Sequence, residues 1–395
     1  MTITDRAASP AFPFETEERR ALRAAVAALG RRYGAAYLQG RARAGQDTNE
    51  LWLEAGRLGY LGVSLPVEYG GGGGGIADLV IVLEELATAG CPLLLLVVTP
   101  AICGSVIARY GTEAQKQRYL PGFADGTVRM AFGITEPDAG SNSHAITTTA
   151  RRDGADWIVN GRKVFISGVD NCQSTLVVAR TEDARTGKLK PALFIVPRDA
   201  PGFEYRVIPM ELVSPERQFE LYLDDVRLPA EALVGDEDAG LDQMFAGLNP
   251  ERIMVAAFAN GIARYALDRA VAYAKERTVF RSPIGAHQAL AHPLAQCRIE
   301  VELARLMTQK AALLNDAGDD LGAGEAANMA KYAAAEAATH AVDQAVQTLG
   351  GNGLTQEYGL AALINVARVT RVAPVSREMI LNFVAQHTLG LPKSY

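Results

Sequence analysis

The spacing of apolar residues changes twice along this 395-residue chain, which restricts it to folds that set a strand-rich segment between two helical ones. From residue 15 to about 125 the apolar positions recur at helical intervals, as at Leu22, Ala25, Val26 and Leu29, and again at Leu79, Leu83 and Leu86. From about Val128 the period becomes that of short strands. Thr147–Arg152 and Trp157–Asn160 flank Asp153-Gly154, and Asn160-Gly161 leads into Lys163–Ser167. Both dipeptides signal hairpins, because they tolerate positive φ. Further β-rich runs follow at Ser174–Val178, Ala192–Val196, Phe203–Ile208 and Phe219–Leu223, divided by Pro, Gly and charges. That pattern predicts a small antiparallel barrel or sandwich.

After about Ala239 the helical period returns. Asn249-Pro250-Glu251 reads as a helix start, with an N-cap side chain, Pro at the first position and an acid facing the dipole. This helix is expected to reach about Arg277. A second covers about Pro293–Asn315, and an Ala-rich third covers Ala323–Leu349 until Gly350-Gly351 stops it. Long Ala-rich helices pack closely, as in an antiparallel bundle. The expected fold is mainly α with a β middle domain: an N-terminal helical domain (1–128), a small antiparallel β-barrel (129–238) and a C-terminal four-helix bundle (239–395).

Composition narrows the function. With 49% apolar and 21% charged residues the chain has ample core, which excludes disorder as its main state. A net charge of −6 argues against nucleic-acid or anionic-membrane partners, which require clustered positive charge. Cys91, Cys103, Cys172 and Cys297 form no C-x-x-C pair, so neither a disulfide framework nor a structural zinc site is expected, and a reducing compartment fits. The first 20 residues carry Asp5, Glu15, Glu17 and Glu18 and no apolar leader. The longest apolar run, Cys91 to Cys103, is too short to span a membrane and contains two prolines. A cytoplasmic protein is expected.

Gly70–Gly75 satisfies a G-x-G-x-x-G dinucleotide pattern, but Leu93–Thr99, read as the next strand, ends without the acid that would hold a ribose, leaving a flexible surface loop as the alternative. No phosphate-binding G-x-x-x-x-G-K-[ST] and no G-x-S-x-G elbow occurs. His287 and His292 have no third ligand nearby, so no metal site is expected. Ala131–Asn142 (AFGITEPDAGSN) gathers Thr135, Ser141 and backbone donors around Pro137 and Gly140, a composition suited either to contact with a flat polar ligand or to a loop between domains. Lys163–Gly168 (KVFISG) ends a hairpin strand with an aromatic and a hydroxyl.

With these motifs the sequence resembles the acyl-CoA dehydrogenase family over nearly its whole length. TEPDAGSN is similar to the family's T-E-P-x-A-G-S-D, and KVFISG to its K-x-W-I-T-[NS]. Arg277-x-x-Phe280 with Pro283-Ile284 and Gln288 resembles R-x-x-F-G-x-P-I…Q, and Gln347-x-x-Gly350-Gly351-Asn352-Gly353 resembles Q-x-x-G-G-x-G. The resemblance implies FAD bound between the β domain and the C-terminal bundle. Ile134, Thr135 and Ser167 would touch the flavin ring, and Phe165, where the family has Trp, would cover one face. Arg277, Phe280 and Gln288 of one subunit, with Gln347, Gly350 and Gly351 of a neighbour, would clasp the rest. A homo-oligomer follows, a tetramer or a dimer. Electron-transferring flavoprotein is the implied acceptor.

The implied reaction is α,β-dehydrogenation of an acyl thioester, in which a carboxylate in an apolar pocket takes the α-proton. At the usual spacing beyond the glycine motif this chain has Pro374, and Glu378 lies one helical turn further on. Isovaleryl-CoA dehydrogenase and some long-chain members instead carry the Glu on the first long C-terminal helix. Gapless alignment back from Arg277 puts Glu251 there, the expected base, with Arg252 and Ser141 contacting the CoA thioester. A short or branched acyl chain is the corresponding substrate. The alternatives on the same fold are a flavin monooxygenase or oxidase, a dehydrogenase of carrier-protein thioesters, and an inactive structural homologue. In the first helical turn Glu251 would be pulled down by the dipole and by Arg252, and pushed up by burial.

Overall fold

The computed structural model describes residues 15–182, 187–237 and 240–393; the expected domain boundary at 238/239 and most of the first 20 residues lie outside them. Five helices come first: α1 (Glu17–Arg43), α2 (Asn49–Arg57), α3 (Ile76–Thr88), α4 (Ser105–Tyr110) and α5 (Glu113–Asp125). The Thr16 hydroxyl caps α1 by accepting from the Arg19 N–H. Eight strands follow: β1 (Met130–Gly133), β2 (Thr149–Asp153), β3 (Asp156–Ser167), β4 (Ser174–Glu182), β5 (Leu189–Pro197), β6 (Phe203–Ile208), β7 (Gln218–Leu228) and β8 (Leu233–Val234). They form one sheet in the order β6-β7-β3-β2-β4-β5-β8, with β1 beside β4. β1 runs parallel to β4, so the sheet is not wholly antiparallel. The C-terminal part contains α6 (Gly240–Glu276), a two-stranded ribbon of β9 (Thr278–Val279) and β10 (Ser282–Pro283), α7 (Gln288–Asp316), α8 (Asp320–Leu349), α9 (Leu363–Val372) and α10 (Arg377–Phe383).

Several local expectations are corrected. Asp153-Gly154 makes its hairpin, with Gly154 at φ +64°. Asn160-Gly161 does not turn: β3 runs straight through it, and the irregularity appears as a bulge against β7. Gly161 is required there because a Cβ would lie 2.3 Å from the Thr148 hydroxyl. Asn249-Pro250-Glu251 begins no helix, since all three residues lie within α6 and Pro250 is in its interior. Glu251 therefore sits about three turns in, away from the dipole's positive end. Leu93–Thr99 is no strand either; Val97–Gly104 winds as a π-helix with Pro100 inside.

The glycine run is neither a nucleotide cradle nor a loose loop. The N–H groups of Gly71, Gly72, Gly73 and Gly74 donate to the carbonyls of Pro66, Gly62, Leu65 and Val63. The Gly75 N–H donates to the Asp78 carboxylate at 2.9 Å, and those of Ile76 and Ala77 donate to the Asp316 carboxylate at 2.7 and 3.0 Å. The donors a phosphate would need are taken by the chain itself.

The N-terminal helices pack on the C-terminal bundle through a buried ionic cluster. Arg23 of α1, Glu84 and Glu85 of α3, Arg264 of α6 and Arg305 of α7 are all nearly inaccessible. Arg264 meets both glutamates at 2.7 Å, Arg23 meets Glu85 at 2.6 Å, and Arg305 meets Glu84 at 2.5 Å. Arg305, Arg264 and Arg23 together hold the Glu84 carboxyl down to about 2 against the opposing effect of burial. Within the bundle, the buried alanines of α8 at 323, 326, 327, 330, 334, 337, 338, 341 and 345 let α6 and α7 approach closely. Among the described residues no helix is long and apolar enough to cross a membrane.

Candidate active site

Two segments of the β domain are fastened side by side. The Val164 N–H donates to the Thr135 carbonyl at 3.0 Å, joining the loop after β1 to β3. Beneath them lies a buried ion pair that the sequence reading did not single out. The Lys163 ammonium donates to Glu136 at 2.8 Å and to the Ile134 carbonyl at 3.1 Å. Glu136 also accepts from the N–H and hydroxyl of both Thr147 and Thr148, at 2.6 to 2.9 Å. With its acceptor sites filled and a cation beside it, its carboxyl is held down to about 2 despite desolvation. Both charges lay inside the quoted motifs; an acid and a lysine in otherwise small, apolar segments were the available signal.

Beyond Lys163 the strand departs from regular geometry. Between Lys163 and Ile166 the pairing with β7 shifts, and Phe165 takes φ +58°, costly for an aromatic residue. The bulge turns its ring outward, 57% exposed. Ser167 follows, its hydroxyl donating to Gln218 at 3.1 Å. Ile134 and Thr135 thus lie beside Val164, with Phe165 and Ser167 following along β3, an interior strand of the sheet.

Glu251 approaches the same region from the bundle. Gly247, one turn earlier on the same face of α6, rests against the π-helix and the start of α4: a Cβ there would lie 2.9 Å from Ile102 and 3.1 Å from Val106. The Glu251 carboxyl is near enough to the Cys103 thiol to help hold it protonated. The Cys103 thiol in turn lies 3.6 Å from the Ala131 carbonyl of β1, the strand that leads into Ile134 and Thr135. Glu251 is half-buried, and crowding by protein pushes its carboxyl up to about 7, against the pull of Arg252. A group that is desolvated yet still partly accessible faces a recess rather than the core. Arg252 bonds the Leu248 carbonyl and Asn249, both at 3.3 Å. Ser141 is exposed on the loop beyond Glu136.

The other site residues lie elsewhere. Arg277, Gln288, Gln347, Gly350 and Gly351 are exposed, and Phe280 is 90% exposed at φ +52°. Asn352 donates to the Tyr273 hydroxyl at 3.0 Å, and the Arg277 N–H donates to the Tyr273 carbonyl. The arginine and glycine motifs therefore adjoin within one chain rather than only across subunits, as the clasp was expected to form. Twenty-six residues of sequence, nearly all of it helix, separate Glu251 from Arg277, or about 40 Å. Built Cβ atoms at Gly350 and Gly351 meet nothing within 4 Å, so the backbone there is open to a ligand.

Three family models match in sequence order: the acyl-CoA dehydrogenase N-terminal domain over residues 16–127, the middle domain over 131–226 and the C-terminal domain over 238–389. Acyl-CoA dehydrogenase FadE12 of Mycobacterium tuberculosis is 68% identical over 381 residues, covering 96% of this chain and 98% of that protein. Butyryl-CoA dehydrogenase from Megasphaera elsdenii superimposes with a TM-score of 0.88 at 30% identity, over 95% of this chain and 99% of that one. A glutaryl-CoA dehydrogenase from Mycobacterium smegmatis in complex with FADH2 gives 0.88 at 29% identity, over 96% of both chains. With all three domains matched in order and a relative this similar along nearly its whole length, the chain belongs to the acyl-CoA dehydrogenase family of enzymes.

Proposed function

We propose that this enzyme introduces a double bond between the α and β carbons of an acyl-CoA thioester, with Glu251 as the base. The setting of Glu251 carries this reading: a half-buried carboxylate raised to about 7, acting on the Cys103 thiol that lies against the strand leading to Ile134 and Thr135. A base titrating near neutrality is strong enough to draw off a weakly acidic proton and is still ionised at working pH. Pro374 supplies no carboxylate at the alternative position.

FAD is the cofactor, as in the M. smegmatis relative, and when bound it supplies the acceptor for the hydride leaving the β carbon. Ile134, Thr135 and Ser167 offer backbone and hydroxyl groups to the ring edge, and Phe165 covers one face. Arg252 and Ser141 serve the thioester. By analogy with the base position of isovaleryl-CoA dehydrogenase, the acyl chain is short or branched. The acceptor is an electron-transferring flavoprotein, in the cytoplasm.

Arg277, Phe280, Gln288, Gln347, Gly350 and Gly351 serve the pyrophosphate and adenine of FAD in a neighbouring subunit. About 40 Å of α6 between Glu251 and Arg277 supports a second copy as the source of this clasp. So does the exposure of Phe280, and of Ile299 and Leu303 on α7, each 61%. Sedimentation of the holoenzyme should give a dimer or tetramer mass; a monomer that retains FAD would refute sharing. The reaction is tested by anaerobic addition of straight and branched acyl-CoA thioesters to the yellow protein. Short or branched chains should bleach the flavin fastest. No bleaching by any thioester, or rapid oxygen consumption with product hydroxylation, would overturn the proposal.

A further inference from the structure

Lys331 is a buried ammonium that the chemistry above does not use. It lies on α8 with 1% of its surface accessible, and it donates to the Val375 carbonyl at 2.5 Å. Val375 belongs to the short turn between α9 and α10. Two ion pairs hold the same turn to α8: Arg371 meets Glu336 at 2.8 Å and Arg377 meets it at 3.4 Å. The charged groups around Lys331 are Glu336 on α8, Arg252 on α6, Arg371 on α9 and Glu378 on α10.

A carbonyl could be held by a neutral donor without the cost of burying an ammonium. The lysine also adds a cation beside Arg252, which burial already disfavours as a cation. Arg252 adjoins Glu251 and turns back towards Asn249, whose amide donates to the Asp320 carbonyl at the start of α8. Lys331 therefore stands where the α8 frame, the 373–376 turn and the helix carrying Glu251 meet.

We propose that Lys331 is a positioning residue: by holding the Val375 carbonyl it fixes the 373–376 turn beside Arg252, and so the alignment of an acyl thioester with Glu251. The inference rests on Glu251 acting as the base. It predicts a particular pH dependence. Burial draws the Lys331 ammonium down to about 8, with Arg252 and Arg371 acting in the same sense and Glu336 and Glu378 opposing. As pH rises through 8 the charge-assisted bond gives way to a weaker neutral one, and kcat falls.

The test compares K331M and K331R with the wild-type holoenzyme. K331M that purifies yellow should lose roughly 10- to 100-fold in kcat, the cost of misplacement near the reacting atoms. K331R, charged at all working pH values, should keep kcat below pH 7 and lose the fall above pH 8. Wild-type kinetics in yellow K331M would overturn the proposal. If K331M does not fold, K331R decides alone, and an alkaline limb at the wild-type pH would overturn it. E251Q separates the two readings: if it is inactive while both lysine variants behave as wild type, only the role of Lys331 fails. If E251Q turns over normally, the base assignment fails instead.

Discussion

Turnover of acyl-CoA by E251Q should fall by roughly 10²- to 10⁴-fold, the usual contribution of a positioned general base, while the variant keeps its FAD. The same change should stabilise the protein above pH 7. In the folded chain the Glu251 carboxyl titrates at about 7, above the 4.5 of an ordinary glutamate. Between those values the folded state holds a proton that the unfolded state has lost, so stability falls as pH rises through that window and stays lower above it. Discounted for partial exposure, the penalty is about 2 kcal/mol at pH 8. Glutamine escapes it, so the melting temperatures of E251Q and wild type should separate above pH 7 and converge below pH 5. Equal melting temperatures at pH 8 would show that Glu251 is not desolvated. In the wild type, kcat/KM should climb about tenfold per pH unit below 7, level off between 7 and 8, and fall beyond that where Lys331 loses its charge.

The second large effect concerns the buried ionic cluster. Glu84 is the anion on which Arg264 and Arg305 converge. E84A leaves guanidinium groups buried without their main counter-charge, and removing one partner from such a site costs about 3–5 kcal/mol. Chemical denaturation should register that loss at neutral pH. Because the Glu84 carboxyl is held below its ordinary value, its contribution is present above pH 4.5 and disappears as pH falls towards 2. Wild type and E84A should therefore converge in acid. A midpoint for E84A within error of wild type at pH 7 would show that the cluster does not join the helical layers.

The difference between what was read from the sequence and what the fold contains is one of range. Hydrophobic period and turn chemistry are local, and they located the helices of the bundle, the Asp153-Gly154 hairpin and the stop at Gly350. Asn249-Pro250-Glu251 carried every local mark of a helix start, yet packing of Gly247 against Ile102 keeps the preceding turns helical. Asn160-Gly161 has the composition of a turn, but Thr148 crowding Gly161 and pairing with β7 hold it in a strand. Parallel pairing of β1 with β4 joins segments more than 40 residues apart and leaves no local trace. The same holds for the site. Glu251, Thr135 and Phe165 could be named from motif spacing. The Glu136–Lys163 pair, the influence of Glu251 on Cys103 and the Lys331–Val375 bond depend on distant segments meeting. The reversal of the expected dipole effect on Glu251 likewise followed only once its depth in α6 was known.

The most direct measurement is hydrogen exchange at the substrate's α carbon. Holoenzyme would be incubated anaerobically in deuterated water with a thioester that it dehydrogenates, and deuterium at that carbon followed by mass spectrometry. If Glu251 removes the proton, wild type will exchange it and yellow E251Q will not. Exchange by E251Q at the wild-type rate would assign proton removal to another group.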